Sequence, residues 1–499
     1  MEALDWLVIG VFFLALIGII VWVVRQKQND SADYFLGGRD ATWLAIGASI
    51  FASNIGSEHL IGLAGAGASS GMAMAHWEIQ GWMILILGWV FVPFYTRSMV
   101  YTMPEFLERR YNPQSRTILS VISLVSYVLT KVAVTVYAGG LVFQQVFGIK
   151  ELWGIDFFWI AAIGLVVLTA LYTIFGGMKS VLYTSVLQTP ILLLGSLIIL
   201  VLGFKELGGW DEMMRVCGAV TVNDYGDTMT NLIRSNDDAN FPWLGALIGS
   251  AIIGFWYWCT DQFIVQRVLS GKNEMEARRG TIFGAYLKLL PVFLFLIPGM
   301  IAFALHQKYI GAGGEGFLPM LANGTANADA AFPTLVAKLL PAGVKGLVVC
   351  GILAALMSSL ASLFNSSAML FTIDFYKRFR PETPEKKLVG IGQVATVVIV
   401  ILGILWIPIM RSVGDVLYTY LQDVQSVLAP GIAAAFLLGI CWKRTSAQGG
   451  MWGLIAGMVI GLTRLGAKVY YSNAGEVADS TFKYLFYDMN WLFFCGWMF

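Results

Sequence analysis

Long apolar runs, each separated from the next by a short polar stretch, dominate this chain from one end to the other. A helix needs about 20 mostly apolar residues to cross the hydrocarbon core of a bilayer. The strands of a membrane β-barrel would instead be short and alternating. The pattern predicts an all-α integral membrane protein with crossings near 4–24, 42–68, 72–97, 117–148, 153–175, 178–204, 241–266, 279–305, 343–375, 388–410, 413–441, 447–470 and 484–499. The last run stops at Phe499, so we expect that helix to be truncated.

The composition of the chain is also that of a protein embedded in a lipid bilayer. Apolar residues make up 58% of it and charged residues 13%, and its mean hydropathy is +0.72. The five cysteines are scattered without pairing motifs, so they predict neither a disulfide framework nor a metal site. The N-terminal "MEALDW" is acidic and no small-residue cleavage site follows, which favours a retained first helix. We expect the bilayer as a partner and no nucleic acid.

Lysine and arginine are unevenly distributed between alternate loops. With the N-terminus outside, 19 of the 32 basic residues fall in the inner loops 25–41, 97–116, 176–179, 267–280, 376–387 and 442–446. Basic residues are enriched in cytoplasmic loops of membrane proteins. The outer loop 205–240 is acidic. We therefore predict a multi-pass protein of the plasma membrane, of the bacterial inner-membrane type, with its N-terminus outside.

Two predicted helices carry polar groups where lipid is expected. The second contains "FASNIGSEHLIGLAG" (51–65), and the seventh contains "GFWYWCTDQFIVQR" (254–267). A charged side chain at mid-membrane costs roughly 2.5–3.5 kcal/mol, and unwound backbone is tolerated there only where it lines a cavity or is buried in protein. The small residues of 64–68 could simply allow close helix packing. Asn54, Glu58 and His59 favour interrupted helices instead.

The two interrupted helices lie five positions apart in the predicted order. An odd number of crossings turns a second unit upside down relative to the first. Inverted repeats with facing broken helices are characteristic of secondary transporters. The pattern thus points to a transporter.

Other polar side chains inside the predicted helices could have either functional or purely structural roles. Glu78 is either functional or an interfacial carboxylate in an aromatic belt, and Gln422 could serve helix packing. Lys131 is compatible with either a functional or a structural role. Lys288 lies about two turns into its helix, too deep to reach the interface comfortably, which favours a functional role. The adjacent serines 358 and 359 would by themselves be close-packing residues.

Six segments in order resemble the sodium/solute symporter family, and most closely its sodium/glucose cotransporter branch. The resemblance runs from "DYFLGGR" (33–39) to "LLGICWKR" (437–444). It is carried by "FASNIGSEHLIGLAG", "LYTIFGGMKS", "WYWCTDQFIVQR", "YLKLLPVF", "LMSSLASLFNSS" and "YLQDVQSVLAPGI". The resemblance implies a LeuT-type fold, an inverted repeat of five plus five transmembrane helices with additional peripheral helices.

That fold implies a division of the chain. We expect a peripheral first helix in 1–30, a first five-helix repeat in 42–204 and an extracytoplasmic loop in 205–240. The second, inverted repeat would occupy 241–441, and peripheral C-terminal helices would follow in 442–499.

The resemblance also implies the residues of a sodium site between the second and ninth crossings. A hard monovalent cation prefers oxygen ligands, and neutral ones hold it weakly enough for release. The matching ligands are the backbone carbonyls of Ala52, Ile55 and Ala355 and the hydroxyls of Ser358 and Ser359.

For the solute, the matching positions are polar and suit hydroxyl groups that donate and accept hydrogen bonds. The expected partners of a neutral hexose are Asn54, His59, Glu78, Lys288 and Gln422, with Tyr257 and Trp258 closing the site from the cytoplasm. Outer-gate positions are Leu63, Trp77 and Tyr418. No arginine is expected deep in the core to bind a carboxylate bidentately, so we expect a glucose- or galactose-like sugar. Myo-inositol, sialic acid and amino acids remain alternatives.

One departure from the family concerns stoichiometry. Members with a second cation site usually carry an aspartate where this chain has Ser185, and a hydroxyl where it has Ala361. We therefore predict one sodium ion per sugar. Channel, sensor and enzyme are the rival functional classes. The bulky aromatic residues Trp77, Tyr257 and Tyr418 would close a continuous pore and argue against a channel. No signalling domain is evident, and His59, His76 and His306 form no catalytic motif.

Overall fold

The computed structural model describes residues 1–26, 30–56, 58–321, 324–413, 417–473 and 480–499, although the side chains of 129, 409–413, 417–423 and 472–473 lie outside that description. Within these residues, ten helical runs are long and apolar enough to cross a membrane: Ala3–Val24, Glu58–Ser98, Pro113–Phe147, Phe157–Leu207, Trp243–Thr260, Glu274–Gly311, Val344–Phe379, Glu385–Pro408, Val424–Cys441 and Ala447–Tyr471.

Shorter elements connect or extend these runs. The helices among them are Ser31–Leu36, Gly37–Arg39, Trp43–Asn54, Met103–Arg110, Trp210–Gly218, Gln262–Leu269, Ala328–Ala330, Ala331–Leu339, Thr481–Lys483, Tyr484–Asp488 and Trp491–Met498. Two strands, Glu151–Leu152 and Ile155–Asp156, form a small antiparallel hairpin. The predicted helical class is therefore confirmed.

The runs divide differently from the thirteen predicted crossings. The crossings predicted at 153–175 and 178–204 are joined in Phe157–Leu207, which bends at Gly177. Gly177 has φ 52°, and a Cβ there would lie 2.4 Å from the Tyr34 carbonyl oxygen. Only glycine fits such a backbone and such a close approach. At the other end, Trp491–Met498 has 8 residues, which is too short to cross a bilayer.

The second predicted crossing is interrupted, as its polar residues indicated. Helix Trp43–Asn54 ends at Ile55, whose backbone is extended (φ −79°, ψ 101°). Helix resumes at Glu58 with one wide π-helical turn, Glu58–Leu63, and continues as Ala64–Ser70. Because the last carbonyls of a helix have no partner within it, the break leaves acceptors available inside the protein. We call this element the first interrupted helix.

The seventh predicted crossing is interrupted in a similar way. Helix Trp243–Gly254 passes into the π-helical turn Phe255–Thr260 and stops at Asp261, which is extended (φ −74°, ψ 128°). The Asp261 carboxylate then caps Gln262–Leu269 by accepting from the Phe263 N–H, 3.1 Å away. We call this element the second interrupted helix.

Small residues allow close packing around the first interrupted helix. A Cβ on Gly280 would lie 2.8 Å from the Trp43 carbonyl oxygen, and one on Gly299 would lie 2.0 Å from that of Ala64. Both halves of the broken helix thus pack with backbone contact against Glu274–Gly311. Such close approach is common where small residues line transmembrane helix interfaces.

We expect Gly299→Ala to destabilise the protein by about 1–3 kcal/mol, because its methyl group would overlap the Ala64 carbonyl. Thermal unfolding of detergent-purified protein, followed by tryptophan fluorescence, measures the effect. The matched control is Gly164→Ala, where a Cβ meets nothing within 4 Å. Equal melting temperatures for the two variants would show that the packing is looser than described.

Candidate functional site

A small cavity lies between the breaks of the two interrupted helices. The first contributes Asn54, Glu58 and His59 to its wall, and the second contributes Tyr257 and Trp258. The remaining lining residues are Trp77, Glu78, Gln80, Ile253, Lys288 and Gln425. We call this cavity the central pocket. It brings seven of the predicted solute-site or gate residues to one place.

A buried polar triad forms one wall of the central pocket. Lys288 Nζ lies 2.6 Å from Glu78 Oε2 and 2.8 Å from His59 Nε2, and His59 Nε2 lies 3.2 Å from Glu78 Oε1. All three residues are at most 4% exposed. A charge that is buried without a partner is expensive, whereas a paired one is tolerated. Lys288 and Glu78 therefore cancel each other's charge.

Both contacts of the triad to His59 are made at its Nε2 atom. An ammonium group has three donors and no acceptor, so Nε2 accepts in a bond with Lys288, whereas it donates in a bond with the Glu78 carboxylate. His59 Nδ1 is buried and has no hydrogen-bond partner among the described residues. The triad thus leaves one ring nitrogen of His59 unused.

Further unused polar atoms surround the central pocket. Asn54 Nδ2 donates to the Tyr257 hydroxyl at 3.0 Å, but Asn54 Oδ1 has no partner among the described residues. Gln80 Oε1 and Trp77 Nε1 are likewise buried and unpartnered there. Unsatisfied buried polar groups are rare in native proteins and call for an explanation. A ligand with both donors and acceptors would satisfy this set.

A second buried ion pair lies at the break of the second interrupted helix. Lys131 Nζ is 2.6 Å from Asp261 Oδ2, and the Tyr127 hydroxyl donates to Asp261 Oδ1. The same ammonium group lies 4.6 Å from the centre of the Tyr257 ring. Lys131 therefore balances the helix-capping carboxylate and supports the aromatic floor of the central pocket.

One of the serines predicted to bind sodium lies at the break of the first interrupted helix. A Cβ on Gly56, at the first break, would lie 3.3 Å from Ser359 Oγ, so this serine faces the interruption. Ser53 Oγ lies 2.8 Å from Ser362 Oγ, joining the same two helices. Ala52, Ile55, Ala355, Ser358 and Ser359 are all at most 8% exposed. The set offers neutral carbonyl and hydroxyl oxygens, which suit a hard monovalent cation.

Arg267 corrects an expectation from the sequence. We expected no arginine deep in the core, yet Arg267 is 1% exposed in the second half of the second interrupted helix. Its Nε donates to Ser53 at 2.9 Å and to Ser49 at 3.2 Å. The sequence placed it in an inner loop because "VQR" ends the apolar run. Arg267 does not line the central pocket, so the expectation holds for the pocket itself.

The residues predicted to form the outer gate differ in whether they line the central pocket. Trp77 lines the central pocket and stacks on Trp491, with ring centroids 5.2 Å apart and planes 5° from parallel. Leu63 is fully buried but is not part of the lining. The side chains of Tyr418 and Gln422 lie outside the described residues.

Three polar lining residues were missed by the sequence reasoning. Glu58 was noted as polar but given no role, and Gln80 and Gln425 were not considered for the site. Gln80 lies two positions beyond Glu78, and Gln425 lies three beyond Gln422, about one helical turn away. That spacing was the available signal.

The central pocket is narrow. The space in it that water molecules can occupy is about 40 Å³. A buried water molecule needs about 10–15 Å³ of such space, so the pocket has room for about three. A hexose would require the walls to move apart.

Comparison with known proteins agrees with the geometry. The model of the sodium:solute symporter family matches residues 34–457. Human sodium/myo-inositol cotransporter 2 is 38% identical over 479 residues, covering 93% of this chain and 70% of its own length. Rat sodium/glucose cotransporter 2 is 38% identical over 512 residues, covering 98% of this chain and 75% of its own.

Solved structures support the fold. A substrate-bound, outward-open sodium-coupled sialic acid symporter superposes with a TM-score of 0.79 at 22% identity, over 100% of this chain and 95% of that one. MhsT in complex with L-phenylalanine gives 0.55 at 12% identity, over 85% and 98%. The fold is of the LeuT type, as expected from the resemblance.

Proposed function

We propose that this chain, which belongs to the sodium:solute symporter family, binds a neutral polyol in its central pocket and carries it into the cell with sodium. As a member of the family it is a multi-pass, sodium-coupled solute symporter. The proposal concerns the solute, the residues that bind it and the number of ions. A hexose of the glucose or galactose type and a cyclitol such as myo-inositol both fit, and relatives named for each are about equally similar to this chain.

The unused hydrogen-bonding atoms carry the proposal. The central pocket has a donor at Trp77 Nε1, acceptors at Asn54 Oδ1 and Gln80 Oε1, and the ring nitrogen His59 Nδ1, all buried and unpartnered among the described residues. Each hydroxyl of a polyol can donate one hydrogen bond and accept others. A polyol therefore matches a mixed set of this kind, and the rings of Trp77 and Trp258 offer apolar faces for its C–H groups.

The charges of the lining disfavour an anionic solute. Among the described residues, Lys288 is the only cation in the lining, and Glu78 already pairs with it at 2.6 Å. A carboxylate group brings acceptors but no donors, so where it replaces a hydroxyl it cannot bond to Asn54 Oδ1 or Gln80 Oε1. An acceptor left buried and unpaired costs about 1–3 kcal/mol. This supports a neutral polyol over an acid.

We place sodium between the first break and the middle of Val344–Met369, at the carbonyls of Ala52, Ile55 and Ala355 and the hydroxyls of Ser358 and Ser359. An ion there would hold the unwound segment in the shape that presents Asn54 and His59 to the solute. Coupling follows because a ligand shifts a conformational equilibrium only by its preference between states.

The transport cycle requires the central pocket to widen and close. In our proposal the repeats 42–204 and 241–441 rock against each other around the two breaks, and Tyr257 moves to release the solute. The lysine and arginine count supports an N-terminus outside, so that the inward movement of sodium is aided by the membrane potential, by about 2.3 kcal/mol per charge at 100 mV.

Competition for sodium-driven uptake into vesicles tests the solute. A labelled hexose and labelled myo-inositol are each supplied with a sodium gradient, and unlabelled hexoses, inositols, amino acids and sialic acid compete. We expect neutral polyols to compete and the others to fail. Uptake blocked by sialic acid or an amino acid, but not by any polyol, would refute the proposal.

We expect one sodium ion per solute. Ser185 offers a neutral hydroxyl, which contacts Ser358 Oγ at 3.2 Å and the Val181 carbonyl at 2.6 Å, and the buried Ala361 offers no oxygen ligand at its side chain. A second cation next to Arg267 would also be repelled. Charge and solute fluxes measured together in proteoliposomes should give a ratio near one, and a ratio near two contradicts the assignment.

We expect Trp491→Ala to weaken the apparent solute affinity about 3- to 10-fold, because the stacked partner of Trp77 is lost. Aromatic pairs contribute about 0.5–1.5 kcal/mol beyond the area they bury. The concentration for half-maximal uptake measures the effect. Trp153→Ala, on a side chain that is 85% exposed, is the control and should leave that concentration unchanged. Equal values for the two variants would mean that Trp491 does not support the gate.

A further inference from the structure

A series of buried hydrogen bonds connects Arg267 to the helix that carries the serines proposed for sodium. Arg267 Nε donates to Ser53 Oγ at 2.9 Å, and Ser53 Oγ lies 2.8 Å from Ser362 Oγ. Ser362 Oγ in turn donates to the Ser358 carbonyl at 2.6 Å. All four residues are at most 2% exposed. We call them the buried chain, and its hydrogen bonds are strong because the surroundings have a low dielectric constant.

The protons of the buried chain can be arranged in one direction only. A carbonyl has no proton and a hydroxyl has one, so the proton of Ser362 lies toward the Ser358 carbonyl. Ser53 must then donate to Ser362, while its own oxygen accepts the Arg267 N–H, since a guanidinium group only donates. Arg267 Nη1 and Nη2 are buried and have no hydrogen-bond partner among the described residues. Nε, which also donates to Ser49 Oγ at 3.2 Å, is therefore the nitrogen that begins the chain.

The buried chain crosses between the two elements proposed to hold sodium. Ser53 lies between Ala52 and Ile55 in the first interrupted helix, and the carbonyls of those two residues are proposed ligands. Ser362 lies about one helical turn beyond Ser358, whose hydroxyl is another proposed ligand. The chain thus holds the carbonyl side of the site at a fixed spacing from the hydroxyl side.

We propose that Arg267 is a positioning residue for sodium, which acts through Ser53 and Ser362 by setting the spacing between the carbonyl and hydroxyl ligands. This inference rests on the proposed function, because it presumes sodium at the first break. A positive charge near the site by itself opposes the binding of a cation. The hydrogen-bond donor of Arg267 and its charge therefore act on sodium binding in opposite directions, and an experiment can separate them.

Two substitutions separate the donor from the charge. Arg267→Gln places an amide N–H on Cδ, where arginine has Nε, whereas Arg267→Met places a methyl group at that position, and both remove the charge. Equilibrium binding of radiolabelled sodium to the purified protein needs no solute. We expect the dissociation constant for sodium to be about fivefold higher in Arg267→Met than in Arg267→Gln. Equal constants in the two variants overturn the inference, even if both differ from the constant of the unmodified protein.

Serine variants test the rest of the buried chain. Ser362→Ala should weaken sodium binding, and combining it with Arg267→Met should weaken binding no further than the stronger of the two single effects, because the chain is already broken. Ser366→Ala is the control. Ser366 Oγ donates to Gln266 Oε1 at 2.7 Å, which joins the same two helices outside the chain, so sodium binding should stay unchanged. Equal weakening in Ser362→Ala and Ser366→Ala would show a merely structural effect and overturn the inference.

Failure of the inference and failure of the proposed function give different results. Weaker sodium binding in Ser359→Ala, together with equal constants in the two Arg267 variants, keeps the proposed sodium site and overturns the inference. Sodium binding without uptake of any neutral polyol defeats the proposed solute, while the comparison of the Arg267 variants still decides the inference. Fluorescence-detected size exclusion reports whether each variant folds. If an Arg267 variant does not, the comparison of Ser362→Ala with Ser366→Ala decides.

Discussion

Glu78→Gln should abolish sodium-driven uptake and destabilise the protein by about 3–5 kcal/mol, because it leaves Lys288 buried without its carboxylate. Uptake into proteoliposomes and thermal unfolding in detergent measure the two effects separately. The double variant Glu78→Gln/Lys288→Met removes both charges and should recover most of the stability, since replacing a whole buried pair is often neutral. It should not recover transport, because the pocket then lacks the groups that bind the solute.

An exposed ion pair of similar length supplies the control. Arg215 Nη2 and Glu212 Oε1 are 2.7 Å apart, but the Arg215 side chain is 71% exposed. Exposed pairs contribute little to stability, so Glu212→Gln should leave both stability and uptake nearly unchanged. If the Glu78 variant unfolds no earlier than this control, the buried pair does not stabilise the protein as described. If the double variant transports normally, the buried triad is not the solute site.

Ser359→Ala should raise the sodium concentration for half-maximal uptake about tenfold, because a hydroxyl ligand is lost from a site with few oxygens. The maximal rate at saturating sodium should change less. The measurement is the sodium dependence of polyol uptake, with choline replacing sodium to keep ionic strength constant.

Ser367→Ala, on the same helix, is the control for this variant. Ser367 is fully buried and its hydroxyl has no partner among the described residues. Eight residues of helix separate it from Ser359, about 12 Å along the axis. It should keep the sodium dependence of the unmodified protein. An identical dependence in both variants would remove Ser359 from the proposed site.

The interruptions were predictable because of an energetic rule. Polar groups such as Asn54 and His59 cannot remain in an apolar crossing unless the protein gives them partners or a cavity. The second break was marked in the same way by Asp261, which the structure shows as the cap of a new helix. Each position therefore carried its own signal within a short window of sequence.

Pairings between distant segments could not be read from the sequence. Lys131 and Asp261 are 130 positions apart, and nothing local shows that they meet. Arg267 lies at the end of an apolar run, where a loop and a buried helix end look alike. Glu58 is visible in the sequence, but its place in the lining of the central pocket is a property of the folded protein.

Thermodynamic linkage between sodium and solute tests the central claim most directly. If both ligands stabilise the same arrangement of the first interrupted helix, each must tighten the binding of the other by the same factor. Equilibrium binding to purified protein is measured for a neutral polyol with and without sodium, and for sodium with and without the polyol. We predict equal factors of about tenfold or more in both directions. A polyol affinity that is the same in sodium and in choline would contradict the account.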